Sequence, residues 1–244
     1  MKQHLATIKS SLRHLLPTAR CRYCRERSNA GLCPDCEVRL GALQPQRCQR
    51  CGLPRASQET GACGSCLRDP PPYARLVTAF DYGPPIDSWV NNFKHRRDLR
   101  DGHLLAAQLT RTIKETYISS KLPDALVPVP LHWRRQLWRS FNQADWICDR
   151  LGRNLRLPAI HPLRRIHGGH TQQGLQRRQR QHNLKQVYRL PECCQHLVRN
   201  RHLALVDDVV TTGATVSALT TLLTRAGAAR VDVWCLARTP LGVD

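Results

Sequence analysis

After residue 73 the apolar positions fall into short continuous runs separated by stretches with helical spacing. Residues 75–82 (RLVTAFDY) predict a strand, and residues 85–94 and 101–119 predict helices. In the second helix Leu104, Leu105, Leu109 and Ile113 recur near the helical period. Residues 124–130 (DALVPVP) predict a short buried strand ended by prolines, and residues 142–155 a helix carrying Trp146, Ile147 and Leu151. Residues 163–186 are polar and rich in Arg and Gln, with Gly168, Gly169 and Gly174, which predicts a long loop or a loop running into a polar helix. Residues 202–206 (HLALV) predict a buried strand. Val216, Leu219, Leu222 and Leu223 then mark one face of a helix, and Gly227 stands where such a helix stops. Val231, Val233 and Cys235 begin a last strand. Strand, helix and strand in this order form the βαβ unit of a parallel sheet. The expected fold class is therefore α/β, a parallel sheet with helices on both faces.

The first third reads differently. Eight of the 12 cysteines form four C-x-x-C pairs between positions 21 and 66. Two residues between cysteines let both thiolates of a tight turn face one ion, and two such turns complete a tetrahedral sulfur site. Two successive zinc ribbons fit best: Cys21, Cys24, Cys33 and Cys36, then Cys48, Cys51, Cys63 and Cys66. An interleaved pairing fits the same spacing. Disulfides and redox C-x-x-C pairs are the alternatives, and a chain with no recognisable secretory signal disfavours the first. With all four positions taken by thiolates the zinc would be structural, and it would supply folding energy that so small a module cannot draw from a core. Cys148, Cys193, Cys194 and Cys235 have no such spacing. Pro70, Pro71 and Pro72 follow the last pair and suggest a boundary. The expected organisation is an N-terminal helix or arm at 1–20, a double zinc ribbon at 21–72 and an α/β domain at 73–244.

Charge sharpens this picture. The 244 residues carry 38 Lys and Arg against 18 Asp and Glu, a formal net charge of +20. Residues 131–201 hold 15 basic and 3 acidic side chains, and most of the basic ones are arginine. The arginine fork matches phosphate with two hydrogen bonds, so a polyanion is the natural partner: single-stranded DNA or a phosphorylated nucleotide. Trp133, Trp138, Phe141 and Trp146 lie among Arg134, Arg135, Arg139 and Arg150, a mixture suited to stacking on unpaired bases, although Phe141 and Trp146 also suit a core. No apolar run reaches the roughly 18–20 residues of a membrane helix. A cytoplasmic location is the expectation.

The densest chemistry follows the strand at 202–206. Asp207 and Asp208 are succeeded by Val209, Val210, Thr211, Thr212, Gly213, Ala214 and Thr215. Small and hydroxyl residues at a strand-to-helix turn expose backbone N–H groups, and a helix N-terminus adds partial positive charge, so a phosphate monoester fits. The adjacent carboxylates can accept hydrogen bonds from a sugar diol. Together they read as a ribose-phosphate site. Asp and Thr also occur simply as caps and turn formers.

The stretch LVDDVVTTGAT resembles the phosphoribosyl pyrophosphate motif of type I phosphoribosyltransferases. VPVP at 127–130, RSFNQ at 139–143, PLRR at 162–165, the series Gln172, Leu175, Arg180 and Asn183, and the double ribbon are similar to the ComF/GntX family. The resemblance implies that Asp207 and Asp208 bind ribose hydroxyls and that residues 211–215 hold the 5′-phosphate. It further implies that Pro130, Leu131, Arg134 and Arg135 face pyrophosphate, and that the loop carrying Arg164, Arg165 and Arg180 closes over the site. Ser140 stands where the family usually has glycine. The family implies a role in competence and DNA utilisation, with a helicase or strand-loading partner. The alternative is an active phosphoribosyltransferase that uses phosphoribosyl pyrophosphate and Mg2+ on a base or amine. No catalytic residue is singled out.

Overall fold

The computed structural model describes residues 20–28, 31–40, 46–55, 61–131, 142–166 and 187–240. Apart from Arg20, the arm expected at 1–20 lies outside them, as do Trp133, Trp138, Phe141 and most of the Arg-rich loop. The chain forms two compact units, residues 1–43 and residues 44–244.

Both units begin with the same small device. In the first, Arg20 bridges Arg27, the Cys21 N–H donates to the Glu26 carbonyl at 2.6 Å, and helix α1 (Pro34–Arg39) starts directly after Cys33. In the second, Arg47 bridges Pro54, the Cys48 N–H donates to the Leu53 carbonyl at 2.9 Å, and helix α2 (Gly64–Arg68) starts directly after Cys63. In each, one cysteine pair sits on a tight turn and the other at the start of a one-turn helix, as the repeated spacing requires.

The second unit continues into the α/β body. Its strands are β1 (Arg75–Asp81), β2 (Ala125–Pro128), the two-residue β3 (Arg164–Arg165) and β4 (Tyr188–Arg189), then β5 (His202–Val210) and β6 (Arg230–Arg238). Its helices are α3 (Ile86–Asn91), α4 (Leu99–Thr116), α5 (Gln143–Leu155) and α6 (Ala214–Arg225). Four strands make a parallel sheet in the order β1-β6-β5-β2. Val216, Leu219 and Leu223 of α6 pack with Val127, Leu203, Leu205, Val231 and Val233 on one face. Helices α4 and α5 pack on the other, where Tyr117 meets the fully buried Trp234 edge-on. Coverage on both faces explains why the strands read as apolar runs and not as alternation. Asp232 is buried inside β6 and is satisfied by Tyr117 Oη at 2.6 Å, His202 Nε2 at 2.8 Å and Arg230 Nε at 3.0 Å.

Three elements differ from their sequence pattern, each for a readable reason. β5 does not stop at Val206: Asp207 pairs with Cys235 and Val209 with Ala237, so the ladder carries the acidic pair inside the strand. The helix expected at 85–94 runs as α3 and then widens into a π-helical turn, Asn92–Arg96, closed by Arg97 with φ 53°. Asp98 restarts the chain as a cap, accepting from the Arg100 N–H at 3.0 Å, and α4 begins two residues before its expected start. Finally, β3 and β4 pair antiparallel, so the chain on either side of residues 167–186 is held together as a short ribbon.

Candidate functional site

Two cysteine clusters come first in the chain. Cys21, Cys24, Cys33 and Cys36 form one, and Cys48, Cys51, Cys63 and Cys66 the other, with the four sulfurs of each within 4.8 Å of one another. The grouping is successive, which removes the interleaved alternative. A zinc ion with Zn–S bonds of about 2.3 Å separates its sulfurs by about 3.8 Å. Cys24 and Cys33 lie 3.6 Å apart through sulfur, and Cys51 and Cys63 3.8 Å. The thiols therefore fit structural zinc. Backbone donors favour thiolate in both clusters. Burial opposes the Cys48 thiolate, but N–H groups of Cys51, Cys63 and Arg50 outweigh it and bring the thiol down to about 7. Burial likewise opposes Cys21, and the N–H groups of Cys24, Cys33 and Tyr23 bring it down to about 6.

The second centre sits against the α/β body. Gly52, in its knuckle, has φ +71°, and any Cβ there would collide with the Leu76 side chain of β1. Arg47 Nη1 donates to the Gly52 carbonyl at 3.0 Å and to Asp81 at 2.6 Å. Arg50 Nη1 donates to the Ala74 carbonyl at 3.2 Å.

At the C-terminal end of β5 lies an open depression of about 230 Å³ lined by Asp207, Val209, Val210, Thr211, Thr212, Gly213, Ala214, Thr215 and Val216. All the residues read as ribose-phosphate ligands line it except Asp208. Gly213 makes the turn possible: its φ is +80°, and a Cβ there would lie 3.6 Å from the hydroxyl of buried Tyr73. α6 starts at the next residue, so its N-terminal dipole faces the depression. Thr212 Oγ1 accepts from the Ala214 N–H at 3.3 Å, while the N–H groups of Thr212 and Gly213 meet no acceptor among the described residues. Arg238 Nη1 donates to the Val210 carbonyl at 3.0 Å and to that of Thr211.

The acidic pair is asymmetric. The Asp208 N–H donates to Asp207 Oδ1 at 2.8 Å. Burial, reinforced by the neighbouring Asp208 carboxylate, pushes Asp207 up to about 8 despite that hydrogen bond and Lys94. Asp208 pairs with Lys94 Nζ at 2.9 Å. Lys94 stands on the π-helical turn, and the amide of buried Gln143 donates to its carbonyl at 3.3 Å. Two residues of the RSFNQ segment thereby gain a physical role. Asn142 caps α5, accepting from the Ala144 N–H at 3.1 Å, and Gln143 supports the turn that delivers Lys94.

The other expected ligands are dispersed. Pro130 and Leu131 follow β2, which pairs with β5, but neither lines the depression. Arg164 Nη1 donates to the His161 carbonyl at 2.9 Å. Arg165 lies over the Tyr188 ring at 5.3 Å and donates to its hydroxyl at 3.2 Å. Arg134, Arg135 and Arg180 lie outside the described residues. Trp146 is half-buried between Phe93 and Arg150, with ring centroids 5.0 Å apart for the first pair. Lys94, Tyr73 and Arg238 belong to the site and were not found from the sequence. Lys94 is one of six lysines in an arginine-rich chain, a weak signal, and the other two had none.

A parallel sheet with an acidic pair, a glycine turn and a helix N-terminus at its C-terminal edge, preceded by two four-cysteine ribbons, defines a phosphoribosyltransferase-like protein with a double zinc ribbon. The family model described as "Double zinc ribbon domain" matches residues 11–67. DNA utilization protein YhgH of Escherichia coli strain K12 is 40% identical over 213 residues, 86% of this chain and 91% of that protein. Competence protein F of Haemophilus influenzae is 33% identical over 226 residues, 90% and 96% of the two. The chain belongs with these proteins to the ComF/GntX family. A purine phosphoribosyltransferase structure from Pyrococcus horikoshii is similar at 16% identity and a TM-score of 0.34, covering 55% of this chain and 71% of that one. Among the described residues, no helix is long and apolar enough to cross a membrane.

Proposed function

We propose that this protein serves DNA utilisation in the cytoplasm by handling single-stranded DNA or a phosphorylated nucleotide, with the depression at 207–215 receiving the phosphate and, in a ribonucleotide, the ribose diol. The observation that carries this reading is the convergence of free backbone donors, threonine hydroxyls and a helix N-terminus beside paired carboxylates. An anion and a diol are the two recognition elements of a ribose phosphate, and a DNA strand, which lacks the 2′-hydroxyl, offers this turn its phosphate alone. The names of its relatives, DNA utilization protein and Competence protein, point the same way. The net charge of +20 and the arginine-rich residues 131–201 suit a strand extending beyond one nucleotide. A DNA-processing helicase or strand-loading protein would be the partner that supplies or takes the strand. The test is titration of a fluorescent single-stranded oligonucleotide at increasing salt. Micromolar or tighter binding that weakens steeply with salt supports the reading. No binding at low salt overturns it.

A second reading, favoured by the intact acidic pair and phosphate turn, is a phosphoribosyltransferase acting on a base or amine. Asp207 and Asp208 supply the oxygen donors that fit a hard cation carried by phosphoribosyl pyrophosphate. Mg2+, when bound, would spread charge over the pyrophosphate leaving group. In this chain Thr211 to Thr215 would hold the 5′-phosphate, the two aspartates would orient the ribose, and Lys94 would have to release Asp208. Calorimetry with phosphoribosyl pyrophosphate and Mg2+ separates the readings. Binding that is lost in Asp208→Ala supports transferase chemistry, and absence of binding overturns it.

A further inference from the structure

We infer that Arg238 couples the second zinc centre to the phosphate turn, so that the metal held by Cys48, Cys51, Cys63 and Cys66 sets the geometry in which that turn binds an anion. The inference rests on the ribose-phosphate reading of residues 207–215. Arg238 ends β6 and is only 3% exposed. A buried guanidinium needs acceptors for its N–H groups, and here they are all main-chain carbonyls. Nε donates to the carbonyl of Cys51 at 3.1 Å. The two N–H groups of Nη1 are shared among the carbonyls of Val210 at 3.0 Å, Thr239 at 2.9 Å, and Thr211. One side chain therefore grips a zinc-ligand residue and the two residues that enter the phosphate turn.

The peptide plane explains what this grip does. In a trans peptide the carbonyl of one residue and the N–H of the next point in opposite directions. Drawing the Thr211 carbonyl toward Arg238 turns the Thr212 N–H away from it, and the Thr212 N–H meets no acceptor among the described residues. Tyr73, which follows the ribbon in sequence, has its hydroxyl 3.6 Å from where a Cβ at Gly213 would stand. If the second four-cysteine cluster loses its metal, the Cys51 carbonyl loses its fixed place and the arginine loses one of its anchors. The first cluster belongs to a separate compact unit, residues 1–43.

The experiment uses the full zinc-loaded chain, labelled with 15N-glycine, and four variants: Cys66→Ser, Cys36→Ser, Arg238→Met and the pair Cys66→Ser with Arg238→Met. Ribose 5-phosphate is the probe in calorimetry, zinc content is measured by metal analysis, and the Gly213 amide, assigned through Gly213→Ala, is followed by NMR. Cys66→Ser and Arg238→Met should each weaken ribose 5-phosphate by about tenfold or more, the scale of a lost hydrogen bond to a charged group. The double variant should be little weaker than either single one, because both cut the same link. Cys36→Ser should lose one zinc and keep the affinity. The Gly213 amide should shift in Cys66→Ser and in Arg238→Met, and should not move further in the pair. Independent, multiplying losses overturn the coupling, as does an unmoved Gly213 amide in a Cys66→Ser protein that retains one zinc. If any variant unfolds, Arg238→Lys, which keeps the charge and shortens the donor set, gives the same readout: an unshifted Gly213 amide and full affinity overturn the inference. If the parent protein does not bind ribose 5-phosphate, the ribose-phosphate reading fails, while the amide shifts still decide whether zinc and turn are linked.

Discussion

Asp207 and Asp208 are chemically identical and physically different. Asp208 has the Lys94 ammonium at 2.9 Å, while Asp207 is pressed into the sheet beside another carboxylate and is pushed up to about 8. A carboxyl whose folded pKa lies above its ordinary value of 3.8 binds its proton more tightly when folded. Its stabilising contribution is thus complete below about pH 4 and disappears as pH rises through about 8. Asp207→Asn should therefore leave stability unchanged near pH 4 and raise it by about 2 kcal/mol at pH 8, the full linkage being reduced because the residue is only half-buried. Urea unfolding across that range measures it, and a gain that does not grow with pH counts against the protonated carboxyl. Lys94→Met should act in the opposite sense at neutral pH. It removes the cation from the part-buried Asp208 carboxylate, at a cost of about 1–3 kcal/mol. The same denaturation series reads it, and it should also move the Asp207 titration higher, visible in the carboxyl carbon shift.

Elements make the site by what they bring to the C-terminal edge of the sheet. The β5-turn-α6 unit was legible in the sequence because its determinants are local: an apolar strand, glycine at a turn that needs φ +80°, and a periodic helix face. The two four-cysteine clusters were legible because a ligand pair needs only a fixed spacing. The contacts that complete the site were not, because they join residues far apart in sequence. Arg238 and Cys51 are 187 positions apart, and Gln143 and Lys94 are 49. No periodicity or spacing carries such a pair. The RSFNQ segment lay between these cases: its residues stood out, but their work became visible only once α5 lay beside the π-helical turn. Two element-scale outcomes follow. Asn142→Ala removes the cap of α5 and should cost about 1 kcal/mol in thermal or chemical unfolding. Gly213→Ala places a side chain at positive φ, where strain of about 1 kcal/mol or more is expected, and it should weaken ribose 5-phosphate beyond its effect on stability. Calorimetry beside a melting curve separates the two effects, and equal affinity in the variant would remove Gly213 from the anion site.

At the scale of the whole molecule, net charge overstates what phosphates can use. Arg47 is spent on Asp81, Arg111 on Glu115, Arg153 on Asp149, and Arg238 on four main-chain carbonyls. A fully buried arginine sees no counterion to release, and a paired one gives up a carboxylate before it meets a phosphate. The salt dependence of oligonucleotide binding should therefore report a footprint far smaller than +20. A track of about five phosphates on a single strand gives a slope of about −3.5 in log affinity against log salt. Arg164 and Arg165 form β3 of the antiparallel ribbon and have no acidic hydrogen-bond partner among the described residues. Converting both to glutamine should make the slope shallower by about 1.4, while converting Arg111 and Arg153 to glutamine should leave it unchanged. An equal change from both pairs would mean that phosphates respond to total charge alone. A change confined to Arg164 and Arg165 would place the strand along the β3–β4 ribbon.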